Sequence, residues 1–192
     1  MKITDSTGVS WLAPLYGVFA SASQINFVMP STVALGPATV TAQLPGGNTM
    51  TAIANITLTS PAIFTANMNG QGVAAGQFVH VAPGPVQTFD NIAVFDQTQN
   101  KYVPNPVGFG PDGNQLYLVL YGTGFRHAAA QSDVTATVNG VSVPIMTAAQ
   151  GVYPGLDQAN LQLPNSLAGA GTVDVIIKVN GQAANTVQIA LQ

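Results

Sequence analysis

Apolar and polar residues alternate along short segments of this chain, and glycine, proline, asparagine or aspartate ends each segment. A period of two residues places successive side chains on opposite faces of a strand. Asn139-Gly140 and Asn180-Gly181 are typical of two-residue hairpin turns, in which both central residues need positive φ. The pattern predicts an all-β protein built of sandwiches, and the one helical candidate is too short for more than a turn. The clearest strand patterns are PATVTAQL (37–44), QLYLVLY (115–121) and VDVIIKV (173–179), and the helical candidate is FRHAAAQSD (125–133).

A repeat relates the two ends of the chain. The segment QINF (24–27) returns as QANL (158–161), and a proline follows each copy at Pro30 and Pro164. The strand patterns on both sides of this segment return as well. We therefore predict two copies of one sandwich, joined by a middle insert. The expected boundaries are 1–60 for the first unit, 61–112 for the β-rich insert and 113–192 for the second unit.

The repeated strand carries two amides on one face, Gln158 and Asn160, while its apolar residues point to the other face. Each amide can donate and accept hydrogen bonds at once, so the pair can tie the strand to a neighbouring loop. The alternative is an amide face that binds a ligand.

Aromatic residues could stack against a sugar if they are exposed. Trp11 and Tyr153 occupy corresponding stretches of the two copies and are the candidates for this role. Tyr117 and Tyr121 lie in an apolar strand, and we expect them to pack in the core.

The second copy is preceded by the strong strand pattern NQLYLVLYGTGF (114–125), and the first copy has no such pattern before it. We expect the first unit to have an exposed strand edge, and exposed edges attract other strands. The insert could cover this edge. Otherwise an upstream domain of a parent protein, or a second chain, would pair with it, and a homodimer is one form of that pairing.

Composition excludes several functions. Charged residues make up 6% of the chain, against about 25% in a typical soluble domain. Four scattered Lys and Arg residues cannot form the basic stripe that nucleic acid requires. Cysteine is absent, which excludes disulfides and thiolate chemistry. No apolar run approaches the roughly 20 residues of a membrane-spanning helix, and the first residues have no signal-peptide pattern. We expect a mature piece of a longer exported protein.

Several segments of the chain are specific enough to indicate a family. They include SASQINFVMP, GPATVTAQ, LYLVLYGTGFR and GLDQANLQLPNSLAGAGTVDVIIKVNGQAANTVQIAL. In these segments the chain resembles the Solibacter-type uncharacterised C-terminal domain of large exported acidobacterial proteins. The likeness covers nearly the whole chain, although this sequence starts later than the family's usual opening strand. It implies two immunoglobulin-like β-sandwich units and a secreted or cell-surface location in a bacterium, and it implies no catalytic residue.

Few residues are suited to catalysis or metal binding. Ser132, His127 and Asp133 could supply a nucleophile, a base and an orienting carboxylate, although no G-x-S-x-G turn positions the serine. No cofactor is expected. Calcium is the alternative, because it prefers oxygen ligands and oxygen-rich turns are present. The candidate metal ligands are Asp96, Asp112 and Asp157.

These observations favour a non-catalytic module that serves in attachment, spacing or surface binding within an exported protein. The alternative is a hydrolase of small esters or lactones, with or without calcium. A third interpretation is a carbohydrate-binding module. The three differ in what they require: a hydrolase needs a concave site where a histidine or metal meets a carboxylate, whereas a binding module needs an exposed aromatic or amide surface.

Overall fold

A computed structural model of the chain describes residues 1–84 and 86–192. Within them the chain forms strands, turns and four short 3-10 segments, and no α-helix. The prediction of an all-β protein is therefore confirmed. The chain divides into two compact units: unit 1 is Met1–Leu58 with Val152–Gly155, and unit 2 is Thr59–Gly151 with Leu156–Gln192.

Unit 1 contains a four-stranded sheet in the order β2-β1-β5-β6 and a separate two-stranded pair, β3-β4. Neighbouring strands in both are antiparallel. Its 3-10 segments are Ala20–Ala22 and Pro45–Gly47. The strands are β1 (Lys2–Thr4), β2 (Ser10–Leu12), β3 (Leu15–Phe19), β4 (Gln24–Phe27), β5 (Gly36–Gln43) and β6 (Thr49–Ile56).

Unit 2 contains two larger sheets. The front sheet has the order β16-β17-β13-β8-β9, with β7 beside β13, and the back sheet has the order β12-β20-β18-β14-β15, with β19 beside β18. A separate hairpin joins β10 to β11. The 3-10 segments are Gln131–Asp133 and Asn165–Leu167. The strands are β7 (Ala62–Ile63), β8 (Gly76–Val81), β9 (Gln87–Asn91), β10 (Ala93–Asp96), β11 (Lys101–Pro104), β12 (Pro106–Val107), β13 (Gln115–Thr123), β14 (Val134–Val138), β15 (Val141–Val143), β16 (Ile145–Ala149), β17 (Asp157–Leu163), β18 (Gly171–Val179), β19 (Gln182–Ala183) and β20 (Val187–Leu191).

One apolar core fills unit 2. Every second residue of β17 is buried, as its alternating sequence predicts. Side chains from the front sheet and the back sheet join in a single cluster. Complete burial of a leucine or isoleucine contributes about 1.5–3 kcal/mol, so this cluster dominates the stability of the unit. Its fully buried members include Leu116, Leu118, Leu120, Leu161, Ile177 and Ile189.

The predicted hairpin turns are confirmed. Asn139 and Gly140 have φ values of 51° and 75°, and Asn180 and Gly181 have values of 49° and 78°. Glycine and asparagine adopt this left-handed region with little strain, which is why these dipeptides end strands. The helical candidate at 125–133 contains only the 3-10 segment Gln131–Asp133.

The segment 61–112, which the sequence predicted as an insert between two units, lies within unit 2. Its strand β8 pairs with β13 along six residues of the front sheet. Its strand β12 pairs in parallel with β20 of the back sheet. The structure thus places this segment in the same unit as residues 113–151 and 156–192. The sequence did not indicate this, because the strands that pair with the segment are distant from it in the chain.

The two units share an order of strands. The sheet β2-β1-β5-β6 of unit 1 corresponds to β15-β14-β18-β20 in the back sheet, and the pair β3-β4 corresponds to β16-β17. The strands that carry QINF and QANL, β4 and β17, take the same place in this order. Duplication and an immunoglobulin-like identity remain predictions. Among the described residues, no helix is long and apolar enough to cross a membrane.

Candidate functional site

The front sheet of unit 2 presents an uncharged outer face. Leu116, Leu118 and Leu120 of β13 point into the core, so the residues between them point outward. Directly paired residues of neighbouring strands share a face, and the strand register therefore defines the rest of the surface. This outer face comprises Tyr117, Val119 and Tyr121 of β13, Gln158, Asn160 and Gln162 of β17, Met146 and Ala148 of β16, Gln77 and Val79 of β8, and Phe89 and Asn91 of β9.

Tyrosines and amides stand side by side on the outer face. Tyr117 lies opposite Gln162, and Tyr121 lies opposite Gln158. On its other side Tyr117 lies opposite Val79, which lies opposite Phe89. The row from Gln162 to Phe89 crosses four strands, which spans about 14 Å at the usual spacing between strands.

Hydrogen bonds hold the amides of the outer face in fixed orientations. The Gln158 side chain accepts a hydrogen bond from Gln150, in the connection between β16 and β17, and donates one to Asn160 Oδ1 at 2.7 Å. The Tyr117 hydroxyl donates to Gln115 Oε1 at 2.8 Å. The amides thus connect their strand to a neighbouring loop, and a ligand would meet side chains that are already ordered.

The outer face is accessible along its two sides. Met146 is 71% exposed on the β16 side and Phe89 is 58% exposed on the β9 side. Tyr117, Tyr121 and Asn160 are half-buried between them, and Val79 and Val119 are buried. Aromatic rings at the surface of a sheet can stack against a sugar ring, and neighbouring amides can bond its hydroxyls.

Trp11, one of the predicted aromatic candidates, supports a turn of unit 1. Its Nε1 donates to Asp5 Oδ2 at 2.9 Å. The buried Asp5 carboxylate also accepts hydrogen bonds from Thr7 N and Oγ1, Val9 N and Ala34 N. These bonds, that of Trp11 most of all and then that of the Thr7 hydroxyl, hold the pKa of Asp5 well below its usual value. Sequence reasoning missed this carboxylate, although an aspartate two residues before a threonine is typical of an Asx turn.

Tyr153, the second aromatic candidate, lies in the segment Val152–Gly155, which belongs to unit 1. Its side chain is 49% exposed. Tyr153 is not in a strand of the front sheet, whereas Gln158 and Asn160 are in β17. Tyr117 and Tyr121, beside these amides, were predicted as core residues because their strand is apolar. In the structure they are half-buried on the outer side of β13.

The hydrolase candidates lie on the surface of unit 2 without a shared hydrogen-bond network among the described contacts. His127 is exposed, and its backbone carbonyl accepts a hydrogen bond from Asn180 Nδ2 at 3.2 Å. Ser132 is exposed. Asp133 Oδ2 accepts from the backbone N–H of Ala130 at 3.0 Å and so caps its own 3-10 segment.

The three candidate metal ligands lie apart, and each has different surroundings. Asp96 accepts from Gln99 and Thr98 in its own turn, and these bonds, those of Gln99 first, lower its pKa. Asp112 is an exposed turn residue. Asp157 is fully buried beside Arg126. Within residues 1–84 and 86–192, no cluster of three or more His, Asp or Glu side chains is suited to holding a metal ion.

Asp157 is the anchor of a buried ion pair. Its Oδ1 lies 2.5 Å from Arg126 Nε, and its Oδ2 accepts from Phe125 N at 2.8 Å. Arg126 also donates from Nη2 to the carbonyl oxygen of Leu156 at 2.6 Å. Sequence reasoning noted the carboxylate but not its partner, because 31 residues separate the two in the chain.

A histidine and a carboxylate meet at one place that the sequence did not indicate. His80 Nε2 and Asp90 Oδ2 lie 2.9 Å apart on β8 and β9. His80 is 12% exposed and Asp90 is 51% exposed. They border a recess of about 300 Å³ that Asn105 and Gln192 also line. His80 and Asp90 are ten residues apart in the chain. Only the pairing of β8 with β9 brings them together, so the sequence alone gave no sign of this contact.

Comparison with known proteins found no matching family model and no matching curated protein.

Proposed function

We propose that this chain is a non-catalytic module of an exported bacterial protein and that it attaches its parent protein to an uncharged polysaccharide. The outer face of the front sheet is the binding surface. The observation that carries the proposal is the row of Tyr117, Gln162 and Phe89 on one uncharged sheet surface. The two units are proposed to be immunoglobulin-like copies of one sandwich, in agreement with the resemblance and with their shared order of strands.

The chemistry of the outer face favours a neutral ligand rich in hydroxyl groups. None of its residues carries a charge, so an anionic or cationic ligand would lose hydration without gaining a partner. Amides both donate and accept, which suits hydroxyl groups that do the same. The aromatic rings offer an apolar surface to the C–H face of a sugar ring.

Composition supports an exported setting for this function. Charged residues are 6% of the chain, so the surface is hydrated mainly through Thr, Asn, Gln and Ser side chains, and such surfaces are common in secreted β-proteins. The likeness to exported acidobacterial proteins agrees with a secreted or cell-surface location. Attachment then needs no catalytic group, only a surface that holds a polymer next to the parent protein.

Affinity electrophoresis in gels that contain a polysaccharide tests the proposal. The purified chain should be retarded by at least one neutral polymer among cellulose derivatives, xylan, mixed-linkage glucan and starch, and not by polygalacturonate. Tyr117→Ala should weaken that retardation by about tenfold, because it removes a stacking ring and its contact area. Tyr102→Ala is the matched control, since Tyr102 is 42% exposed on β11, in unit 2 but outside the front sheet, and it should bind as the unaltered chain does.

Two results would contradict the proposal. One is the absence of retardation by every neutral polymer. The other is equal weakening by Tyr117→Ala and Tyr102→Ala, which would place binding outside the outer face. Urea unfolding of both variants should be recorded beside the binding data, so that a loss of folded protein is not taken for a loss of contact.

A hydrolase of small esters or lactones is the second candidate, and the His80–Asp90 contact is the observation that favours it. A carboxylate can orient an imidazole that takes a proton from water. Turnover of p-nitrophenyl acetate and of γ-butyrolactone, measured before and after chelation, tests it. A rate above buffer that falls in His80→Gln but not in His127→Ala would support this site. A rate that falls on chelation and returns on addition of calcium would indicate a calcium-dependent reaction, and no rate above buffer would reject the hydrolase.

A further inference from the structure

Strand β4 of unit 1 has an edge that no described strand covers. It pairs with β3 and belongs to a sheet of two strands. The corresponding strand of unit 2, β17, is paired on both edges, with β16 on one side and β13 on the other. β13 contacts β17 along seven residue pairs, from Leu116–Leu163 to Gly122–Asp157. The two units therefore differ in whether this edge is occupied.

Backbone contacts show that β4 and β17 occupy equivalent positions. Phe27 lies opposite Leu15 in unit 1, and Leu161 lies opposite Ile145 in unit 2. The next residue of each strand donates to a proline carbonyl: Val28 N to Pro14 O at 2.9 Å, and Gln162 N to Pro144 O at 3.0 Å. The free edge of β4 is thus the edge that in β17 holds β13.

The core of unit 1 is incomplete on the side where such a strand would lie. In unit 2 the inward residues of β20, namely Val187, Ile189 and Leu191, are at most 2% exposed. β6 takes the place of β20 in unit 1, and its Met50 lies opposite the buried, inward Ala42. Met50 is nevertheless 63% exposed. A strand that pairs with β4 would place apolar side chains where the leucines of β13 lie in unit 2.

We propose that the free edge of β4 accepts a donor strand from outside residues 1–192, antiparallel to β4. The donor carries an apolar residue at every second position, as β13 does at Leu116, Leu118 and Leu120. By the register of β13 on β17, one such residue lies opposite Phe27 and the next lies opposite Ile25. The unpaired backbone groups of β4 supply the hydrogen bonds, and the open side of the unit 1 core supplies the apolar contact.

A second copy of this chain is a poorer donor than a separate segment. The strand with the required pattern is β13, which is already paired with both β17 and β8. Its inward leucines are fully buried in unit 2. Donating β13 to another molecule would unfold unit 2, so the occupant has the chemistry of β13 and belongs to a segment of the parent protein outside residues 1–192.

The residue at the start of the edge strand differs between the two units. In unit 2, Asp157 begins β17 and binds Phe125 N and Arg126, which follow β13. Ser23 stands before Gln24 at the corresponding place and has a left-handed φ of 49°. The unit 1 edge therefore lacks a carboxylate anchor, and Ser23→Asp should supply one to a donor that carries an arginine.

Placing a donor ahead of the chain tests the proposal. Residues 113–133 are copied in front of Met1, so that the added strand reaches β1 through the connection that joins β13 to β14. Hydrogen exchange at the amides of β4 should become at least about tenfold slower than in the unfused chain, because paired amides exchange only on opening. The β17 amides of the same molecule serve as the reference and should not change.

The matched control is the same fusion with asparagine in place of the three leucines of the added copy. It should leave β4 exchange as fast as in the unfused chain. Ser23→Asp should slow exchange further in the fusion with leucines, and replacing the arginine of the added copy by glutamine should remove that increment. Equal exchange in the two fusions would overturn the proposal. So would a dimer of the unfused chain in which β4 is protected, since a second copy would then be the occupant.

Discussion

Asp157→Asn is the most informative single change in unit 2. The Asp157 carboxylate is fully buried, and it is a candidate both for binding a metal ion and for holding Arg126 in an ion pair. In the structure it accepts hydrogen bonds from Phe125 N and from Arg126 N and Nε. Asparagine has nearly the same shape, so the substitution removes the charge and one acceptor without opening a cavity. It therefore tests the ion pair together with its hydrogen bonds, without a large change in side-chain volume.

The expected loss of unfolding free energy follows from the burial of the two partners. Breaking a fully buried ion pair costs about 3–5 kcal/mol, because the remaining charge stays in a site of low polarity. The Arg126 side chain is 33% exposed, so water solvates the guanidinium partly once its partner is neutral. Asparagine also retains an oxygen for Phe125 N. We expect a loss of about 2–4 kcal/mol, at the low end of the buried range.

Equilibrium unfolding in urea, followed by far-ultraviolet circular dichroism, measures this loss. Asp174→Asn is the control, since Asp174 is exposed on β18 and accepts from Gln188 Nε2 at 3.3 Å, and it should change stability by less than about 0.5 kcal/mol. Arg126→Gln should be at least as costly as Asp157→Asn, because it leaves the fully buried carboxylate without its cation. The double variant should lose less than the sum of the two.

Two results would refute this reasoning. A loss below about 1 kcal/mol for Asp157→Asn would show that the ion pair does not stabilise unit 2 as a buried pair should. A midpoint of the unaltered chain that falls on addition of a chelator, with no further effect in Asp157→Asn, would show that the carboxylate binds a metal ion. With the ion pair as described, chelation leaves the midpoint unchanged.

Three further predictions concern stability. Leu118→Ala should lower the free energy of unfolding by about 2–5 kcal/mol, because the Leu118 side chain is fully buried. Leu58 is 72% exposed, so Leu58→Ala should change urea unfolding little. Asp5 has a lowered folded pKa, so its contribution is present above its usual pKa of about 3.9 and is lost as the pH falls below it. Acid titration followed by the fluorescence of the single tryptophan should show a smaller acid-side loss in Asp5→Asn, and equal curves would contradict this role. Gly76→Ala should unfold unit 2, since its Cβ would lie 2.1 Å from a backbone oxygen of β13, while Gly140→Ala, with open space around it, should cost about 1–2 kcal/mol for its positive φ.

Local signals in the sequence sufficed for the strands and the turns. Period-two alternation predicted β13, β17 and β18, and the Asn-Gly dipeptides predicted hairpin turns that the φ angles of Asn139 and Asn180 confirm. Pairing between distant strands was not predictable in this way. Residues 61–112 were separated from the second unit because nothing local in β8 indicates that it lies beside β13.

The candidate site was predictable in part. Gln158 and Asn160 were singled out by their shared face, and they do lie on the outer face of the front sheet. Tyr117 was assigned to the core because its strand is apolar on both sides, and a single sequence cannot show which side a second layer covers. Contacts such as His80–Asp90 and Arg126–Asp157 depend on strand pairing and loop placement, so residue type alone did not reveal them.

The position of β20 in the back sheet has a consequence for the order in which the units fold. Gln188 of β20 exchanges backbone hydrogen bonds with Gly72 and Ala74, more than a hundred residues earlier in the chain. All six strands of unit 1, by contrast, lie within residues 2–56. Contacts between distant residues slow folding because a long loop must close first. On the ribosome, unit 1 can form its hairpins early, whereas unit 2 keeps apolar strands uncovered until its last strand is synthesised.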